Sequence, residues 1–249
     1  MAMQNDLETV VPADPDAAPL ALFDLDGTLT DPVPGLLGCH RFALEQVNLD
    51  FDHLVENTGA DVDELIRLPV AEVHKILGVP EAALARATTA YQERRPFAGL
   101  EDELYPGIDV LLTSLANAGW RIGIATNQLE PMVEQMLSRL GIADAFVAVA
   151  GSDLKRTRTN KVQVITHLLA ELDTTPSGIA VIADRGTDMD AAKALQATSI
   201  GAAWGFGSIE ELIGANADAI AMTPADVTEL LVGDGESDVG TPHENLPSG

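Results

Sequence analysis

Cysteine is nearly absent: Cys39 is the only one in 249 residues. No intramolecular disulfide framework can therefore staple the fold, and a lone thiol suits a reducing compartment. Aromatic residues are sparse, at 4%. Basic residues are sparse relative to acidic ones, with 14 Lys and Arg against 39 Asp and Glu, a net charge of −25. That balance disfavours non-specific binding to nucleic acid or to acidic membranes, whose phosphates attract the opposite sign. Long apolar runs are missing as well. Stretches such as Gly178–Ala183 and Ile200–Trp204 fall far short of the ~20 residues that span a bilayer. Residues Met1–Pro19 have neither a basic start nor a hydrophobic stretch of the signal-peptide kind. The expectation is a cytoplasmic protein with no nucleic-acid or membrane partner, as a monomer or homodimer.

Apolar residues make up 46%, enough for a sizeable core, and the length suits one large domain with a small insertion. Residues 1–17 and 233–249 are rich in Asp, Glu, Pro, Gly and Ser and are predicted to be disordered tails. Between them, short β-type runs alternate with helical patterns. Strands are predicted at Leu20–Leu25, Trp120–Ala125, Phe146–Ala150, Gly178–Ala183, Ser199–Trp204 and Asp218–Met222. Helices are predicted from Gly107 to Gly119 and at Pro131–Leu140, Lys161–Leu172, Asp188–Gln196 and Ser208–Ile213. Such alternation indicates an α/β fold, a Rossmann-like parallel sheet covered on both faces. Residues 33–100 break the rhythm, with helical candidates at Leu36–Val47, Val70–Leu77 and Glu81–Arg94 and no convincing strand. They are predicted to form an all-helical cap inserted into a core of residues 18–32 and 101–232.

In an open parallel sheet, ligands bind beyond the carboxyl ends of the strands. Three predicted strand ends carry polar groups: Asp24-Leu-Asp26-Gly27-Thr28, Thr126-Asn127, and Asp184-Arg-Gly-Thr-Asp188. Four of the 14 basic residues, Lys155, Arg156, Arg158 and Lys161, fall within seven positions before a predicted helix. A single acidic site with positive charge beside it is the expectation. Four aspartates in one cleft repel one another strongly without a cation. Carboxylates with backbone carbonyls suit Mg²⁺, which keeps several waters and binds substrate phosphate. A lysine and a hydroxyl complete a cradle for phosphate, where catalysis is mostly positioning and charge stabilisation.

The run Phe23-Asp-Leu-Asp-Gly-Thr-Leu-Thr30 resembles the first motif of haloacid dehalogenase-like phosphatases, and the later motifs follow in order. Thr30-Asp-Pro32, Leu104-Tyr-Pro-Gly107, Gly151-Ser-Asp153 and Trp204-Gly-Phe-Gly207 resemble the phosphoglycolate phosphatase-like branch, over about Leu20 to Leu231. The resemblance implies that Asp24 attacks phosphorus as the nucleophile. It implies that Asp26 protonates the leaving alcohol and then deprotonates the hydrolytic water. Thr126 would bond a phosphoryl oxygen and Lys161 would neutralise the nucleophile and phosphate. Asp24, Asp26 (through its carbonyl), Asp184 and Asp188 would hold Mg²⁺. Gly27, Thr28, Asn127, Arg158 and Arg67 are the residues expected to contact a small phosphorylated metabolite.

Three stretches depart from that pattern. Ala183 stands where glycine usually precedes Asp184, Asn127-Gln128 stand where Ser-Lys is frequent, and Arg67-Leu-Pro-Val70 replaces a Gly-Pro-Pro-Leu stretch in the cap. They leave the chemistry intact and bear on the substrate. The implied activity is a phosphomonoesterase, with 2-phosphoglycolate first and nucleoside 5'-monophosphates second. A β-phosphoglucomutase-like phosphotransferase would share every catalytic residue. A dehalogenase has no need of Asp26, and a non-catalytic phosphate-binding module would have no reason to keep the whole set.

Overall fold

The computed structural model describes residues 18–155, 157–175 and 178–233. Arg156 and the predicted tails, apart from Gly233, lie outside the described residues. The main strands are β1 (Leu20–Phe23), β4 (Arg121–Leu129), β5 (Ala148–Ser152), β6 (Ile179–Ala183), β7 (Thr198–Ala202) and β8 (Ala219–Ala221). They form one six-stranded parallel sheet in the order β5-β4-β1-β6-β7-β8. A two-residue ribbon, β2 (Thr30–Asp31) against β3 (Glu103–Leu104), runs antiparallel beside it.

β1 is apolar and buried at all four positions, as a central parallel strand must be. Its side chains alternate between faces. Ala21 and Phe23 join a core with Ile122, Ile124, Leu111 and Val133, while Leu20 and Leu22 join Val164, Leu168 and Val181 on the other side. Helices α6 (Ile108–Asn117), α7 (Glu130–Leu140) and α11 (Pro224–Val232) supply the first core; α8 (Lys161–Glu171) and α9 (Gly186–Ala194) supply the second. Opposite Leu22 lies Gly123, where a β-carbon would stand 2.9 Å from the leucine's Cδ2. A short helix, α10 (Ile209–Gly214), precedes β8.

Between β2 and β3 the chain makes five helices: α1 (Val33–Glu45), α2 (Phe51–Thr58), α3 (Val62–Leu65), α4 (Val70–Ile76) and α5 (Glu81–Arg94). A 3₁₀ turn at Arg95–Leu100 returns it to the core. Leu44, Phe51, Leu65, Val73, Leu77 and Ala87 give this insertion a hydrophobic centre of its own. Among the described residues, no helix is long and apolar enough to cross a membrane.

Several boundaries differ from the sequence reading. Helix α1 starts earlier than Leu36, because proline is tolerated in a first turn, where its missing N–H has no partner to lose. Helices α2 and α3 are additional: they are short and polar, and are defined by aspartate N-caps at Asp50 and Asp61 more than by periodicity. Strand β4 continues past Ala125 to Leu129 through a register shift, and the β2–β3 ribbon is too short to carry an alternating signal.

Candidate active site

The chain winds from β1 out to β4 and β5, then crosses back to β6 on the other side of β1. This reversal opens a crevice at the carboxyl end of β1, flanked by the ends of β4 and β6. Asp24 follows β1 directly, and its N–H bonds the Ile182 carbonyl at 2.9 Å, so the ladder extends to the rim and sets its side chain there. Beyond it the chain turns tightly: the Leu25 carbonyl accepts from Thr28 at 3.2 Å, Leu29 at 2.9 Å and Thr30 at 3.0 Å. Gly27 sits at φ +83°, and a β-carbon on it would collide with the Asp184 carboxylate. The Trp204 indole N–H anchors the turn by donating to the Thr28 carbonyl at 2.9 Å.

Lys161 opens α8, whose N-cap Asn160 accepts from the Gln163 N–H at 3.0 Å. Its Nζ reaches Asp24 Oδ1 at 2.7 Å, the Ala125 carbonyl at 2.8 Å and Asp188 Oδ1 at 2.7 Å. One buried ammonium thus ties together the end of β1, the middle of β4 and the start of α9. Asp184 ends β6, and its Oδ2 accepts the N–H groups of Phe206 at 2.8 Å and Gly207 at 3.4 Å. Its Oδ1 has only a long contact, 3.5 Å, with Thr28 Oγ1. Gly205 and Gly207 wrap so closely around Asp184 that a β-carbon on either would strike it.

Burial and like charge act together on these carboxyls. Burial, then the neighbouring Asp24 charge, raises Asp184 to about 6, although the Phe206 N–H pulls the other way. Burial also raises Asp188, against the pull of Lys161. Burial depresses Lys161, but Asp24 and Asp188 outweigh it and the net shift is upward, so the lysine stays charged. Asp26 is raised as well, mainly by burial and further by Asp24, with the Gln128 hydrogen bond opposing.

Thr126 is buried beside this cluster, and its Oγ1 accepts the Gln128 N–H at 3.2 Å. Asn127, in the register shift of β4, is exposed. Arg158 is paired with Glu130 at 2.8 Å rather than presented as a free guanidinium. Arg67, on the insertion, donates to the Phe206 carbonyl at 2.8 Å and lies 4.9 Å over the Phe206 ring. Sequence reasoning missed Gln128, whose amide nitrogen lies 2.6 and 2.7 Å from the two oxygens of Asp26. It appeared there only as a departure from a pattern. Phe206, which joins Arg67 to Asp184, was likewise not singled out.

The model of the haloacid dehalogenase-like hydrolases matches residues 21–202. The chain belongs to that family. Its relatives include the tyrosine-protein kinase PtkA of Mycobacterium tuberculosis, 30% identical over 85% of this chain and 70% of that protein. The solved PtkA structure covers 87% of this chain and 99% of its own, at a TM-score of 0.65 and 28% identity. A 5'-nucleotidase of Pseudomonas aeruginosa is 33% identical over 78% of this chain and 86% of its own length. A phosphoglycolate phosphatase of Agrobacterium fabrum is 28% identical over 88% and 96%. This haloacid dehalogenase-like hydrolase is a phosphatase, and its sequence is similar to the phosphoglycolate phosphatases.

Phosphatases of this family generally use a divalent metal, and the residues present fit one. Asp188 Oδ1 is buried and receives no aligned hydrogen bond, although Lys161 Nζ lies 2.7 Å away. Among the described residues, Asp184 Oδ1 has only the long contact with Thr28, and both carboxyls are raised chiefly by burial. Among the described residues, no three His, Cys, Asp or Glu side chains are gathered closely enough to hold a cation alone. Magnesium does not require that, since it keeps waters and takes oxygens from backbone and substrate.

Proposed function

We propose that this chain is a magnesium-dependent phosphomonoesterase working through an aspartyl-phosphate on Asp24. The observation that carries the reading is the unequal setting of two aspartates two residues apart. Asp24 is ion-paired with Lys161 at 2.7 Å, while Asp26 is raised by burial and held by an uncharged amide. Two carboxyls in different environments suit different roles, one as nucleophile and one as proton carrier.

In this reading an Asp24 oxygen attacks phosphorus as the ester P–O bond breaks, and Asp26 gives its proton to the departing alkoxide. A water then attacks the phosphorus of the aspartyl-phosphate, Asp26 takes its proton, and inorganic phosphate leaves with Asp24 restored. Lys161 offsets charge on Asp24 and the phosphoryl group, and the Thr126 hydroxyl and the Gly27–Thr28 turn face that group. Asp24, Asp184, Asp188 and the Asp26 carbonyl would hold Mg²⁺, which when bound would stabilise negative charge on the phosphoryl oxygens. The insertion would exclude water from the crevice.

We take 2-phosphoglycolate as the first substrate, on the motif resemblance to that branch, with nucleoside 5'-monophosphates next, on the likeness to a 5'-nucleotidase. Arg67 and Arg158, engaged with Phe206 and Glu130, would have to exchange partners to reach a substrate anion. The test is phosphate release from p-nitrophenyl phosphate, phosphoglycolate, nucleoside monophosphates and sugar phosphates, with and without Mg²⁺. Magnesium-dependent release led by phosphoglycolate is expected. Phosphate transfer from ATP to a tyrosine peptide, with no ester hydrolysis, would overturn the reading.

A further inference from the structure

The amide of Gln128 bonds Asp26 directly, and the reaction sequence above leaves it without a task. Thr126 and Gln128 lie two residues apart on β4. The register shift between Ala125 and Leu129 occurs where they sit, and such an irregularity re-aims side chains. Gln128 donates its backbone N–H to Thr126 Oγ1 at 3.2 Å, while its Nε2 reaches Asp26 Oδ1 at 2.6 Å and Oδ2 at 2.7 Å. Contact with both oxygens fixes the rotation of the carboxyl group as well as its position, which a single hydrogen bond does not. The amide is also supported from the insertion side. Gly99, in the 3₁₀ return turn, packs close to it: a β-carbon there would push aside the end of the Met136 side chain and stand 3.3 Å from Gln128 Nε2.

From this geometry we infer that Gln128 is a positioning residue for Asp26, and that it couples the orientation of the Asp26 carboxyl to the seating of the insertion's return turn. Resting on the phosphatase reading, this deepens it. Gln128 is assigned no contact with the reacting phosphoryl group. It acts through Asp26, so it governs the steps in which Asp26 moves a proton and leaves the attack of Asp24 on phosphorus alone. Thr126, one partner of Gln128, belongs to the phosphate cradle, so one residue links cradle, proton carrier and return turn.

The experiment compares the full-length protein with Gln128→Met, which keeps length and packing under Gly99 but removes the donor, and with Gln128→Ala. Two esters separate the steps. p-Nitrophenolate leaves without a proton, whereas an alkoxide from phosphoglycolate or another alkyl phosphate needs one. For Gln128→Met, kcat on the alkyl ester is expected to fall about 10- to 100-fold, a part of the 10²–10⁴ that a general acid–base supplies. KM should stay within about twofold, since uniform binding is untouched. The first-turnover burst of p-nitrophenolate should keep its wild-type rate, with slower steady-state turnover behind it. Gln128→Ala should show the same pattern.

Equal slowing of the burst and of alkyl-ester turnover would overturn the inference, because Asp24 or the metal would then be affected. Unchanged kcat with a lowered melting temperature would overturn it too, leaving Gln128 a packing residue. A wild-type protein inert on every ester would instead remove the phosphatase reading, and this inference with it.

Discussion

Arg67 and Phe206, 139 residues apart, meet across the crevice: the guanidinium donates to the Phe206 carbonyl at 2.8 Å and covers its ring at 4.9 Å. The Phe206 N–H in turn bonds Asp184 Oδ2 at 2.8 Å, so the insertion is joined to a candidate metal ligand through one residue. Arg67→Ala removes one charge-assisted hydrogen bond and a cation–π contact at a solvent-accessible site. The loss should be about 1 kcal/mol, or about fivefold in kcat/KM, on p-nitrophenyl phosphate and phosphoglycolate alike. A loss confined to phosphoglycolate, which carries a second anion, would make Arg67 a substrate contact instead. Steady-state kinetics on both esters decides.

Lys161 is the sole ammonium among the buried carboxylates described above, with Asp24 and Asp188 each 2.7 Å away. Removing one partner of a buried pair leaves uncompensated charge and costs about 3–5 kcal/mol. Lys161→Ala should therefore lower both the melting temperature and turnover, the latter by about 10²–10³-fold, the usual effect of losing one electrostatic stabiliser of the transition state. Added Mg²⁺ should restore part of the stability and little of the turnover.

Asp24→Asn acts in the opposite sense on stability. The Asp24 charge raises Asp26, Asp184 and Asp188, and Lys161 keeps Asp188 when Asp24 is neutralised. Turnover should vanish, while the metal-free melting temperature holds or rises by about 2–4 °C, the equivalent of about 1 kcal/mol in a domain of this size. Retained turnover in the purified variant would sink the nucleophile assignment.

Magnesium binding should depend on pH through Asp184, which lies at about 6 without a cation. A raised carboxyl is protonated in the fold over a range where the unfolded chain has already ionised, so its contribution to stability falls as pH rises from about 4 through about 6. A cation binding the ionised form offsets that fall. Mg²⁺ at 100 times its Kd should add about 2.7 kcal/mol of stability. The gain should be seen above pH 6 and shrink below it. Asp184→Asn should abolish most of the shift in thermal melts.

Acid should act on the insertion through His40 and His74. Both are buried, with His40 Nδ1 3.4 Å from His74 Nε2 and the Phe51 and Tyr91 rings around His40. Burial, helped by His74, lowers His40 to about 4, and burial lowers His74. Groups held below their unfolded values add stability that is present above about 6.5 and lost as pH falls toward 4. For His40 that loss approaches about 3 kcal/mol. His40→Phe should flatten the melting profile over this window; an unchanged slope would exclude His40 as its source.

The parallel sheet was legible because β1, β4, β6 and β7 carry apolar runs of strand length between helical periods, and such patterns are local. Asp24, Thr126, Lys161 and Asp184 were legible because each stands at or near the end of one of those elements, in the order a shared motif requires. Asn127 was placed by its position beside Thr126 at a predicted strand end, and it is exposed while Thr126 is buried. His40 and His74 stand 34 positions apart in the chain, and only helix packing brings them together.

By itself, then, the sequence determined the α/β class, the helical insertion, the family and the acidic residues that ring the crevice, because composition, periodicity and motif order are properties of neighbouring residues. Only the tertiary structure decided that Gln128 holds Asp26, that Arg67 docks on Phe206 and that Arg158 pairs with Glu130. Those contacts join residues 102, 139 and 28 positions apart. Hydrogen bonds of this kind depend on where packed elements place their side chains to within an ångström, and no local pattern in the chain encodes that.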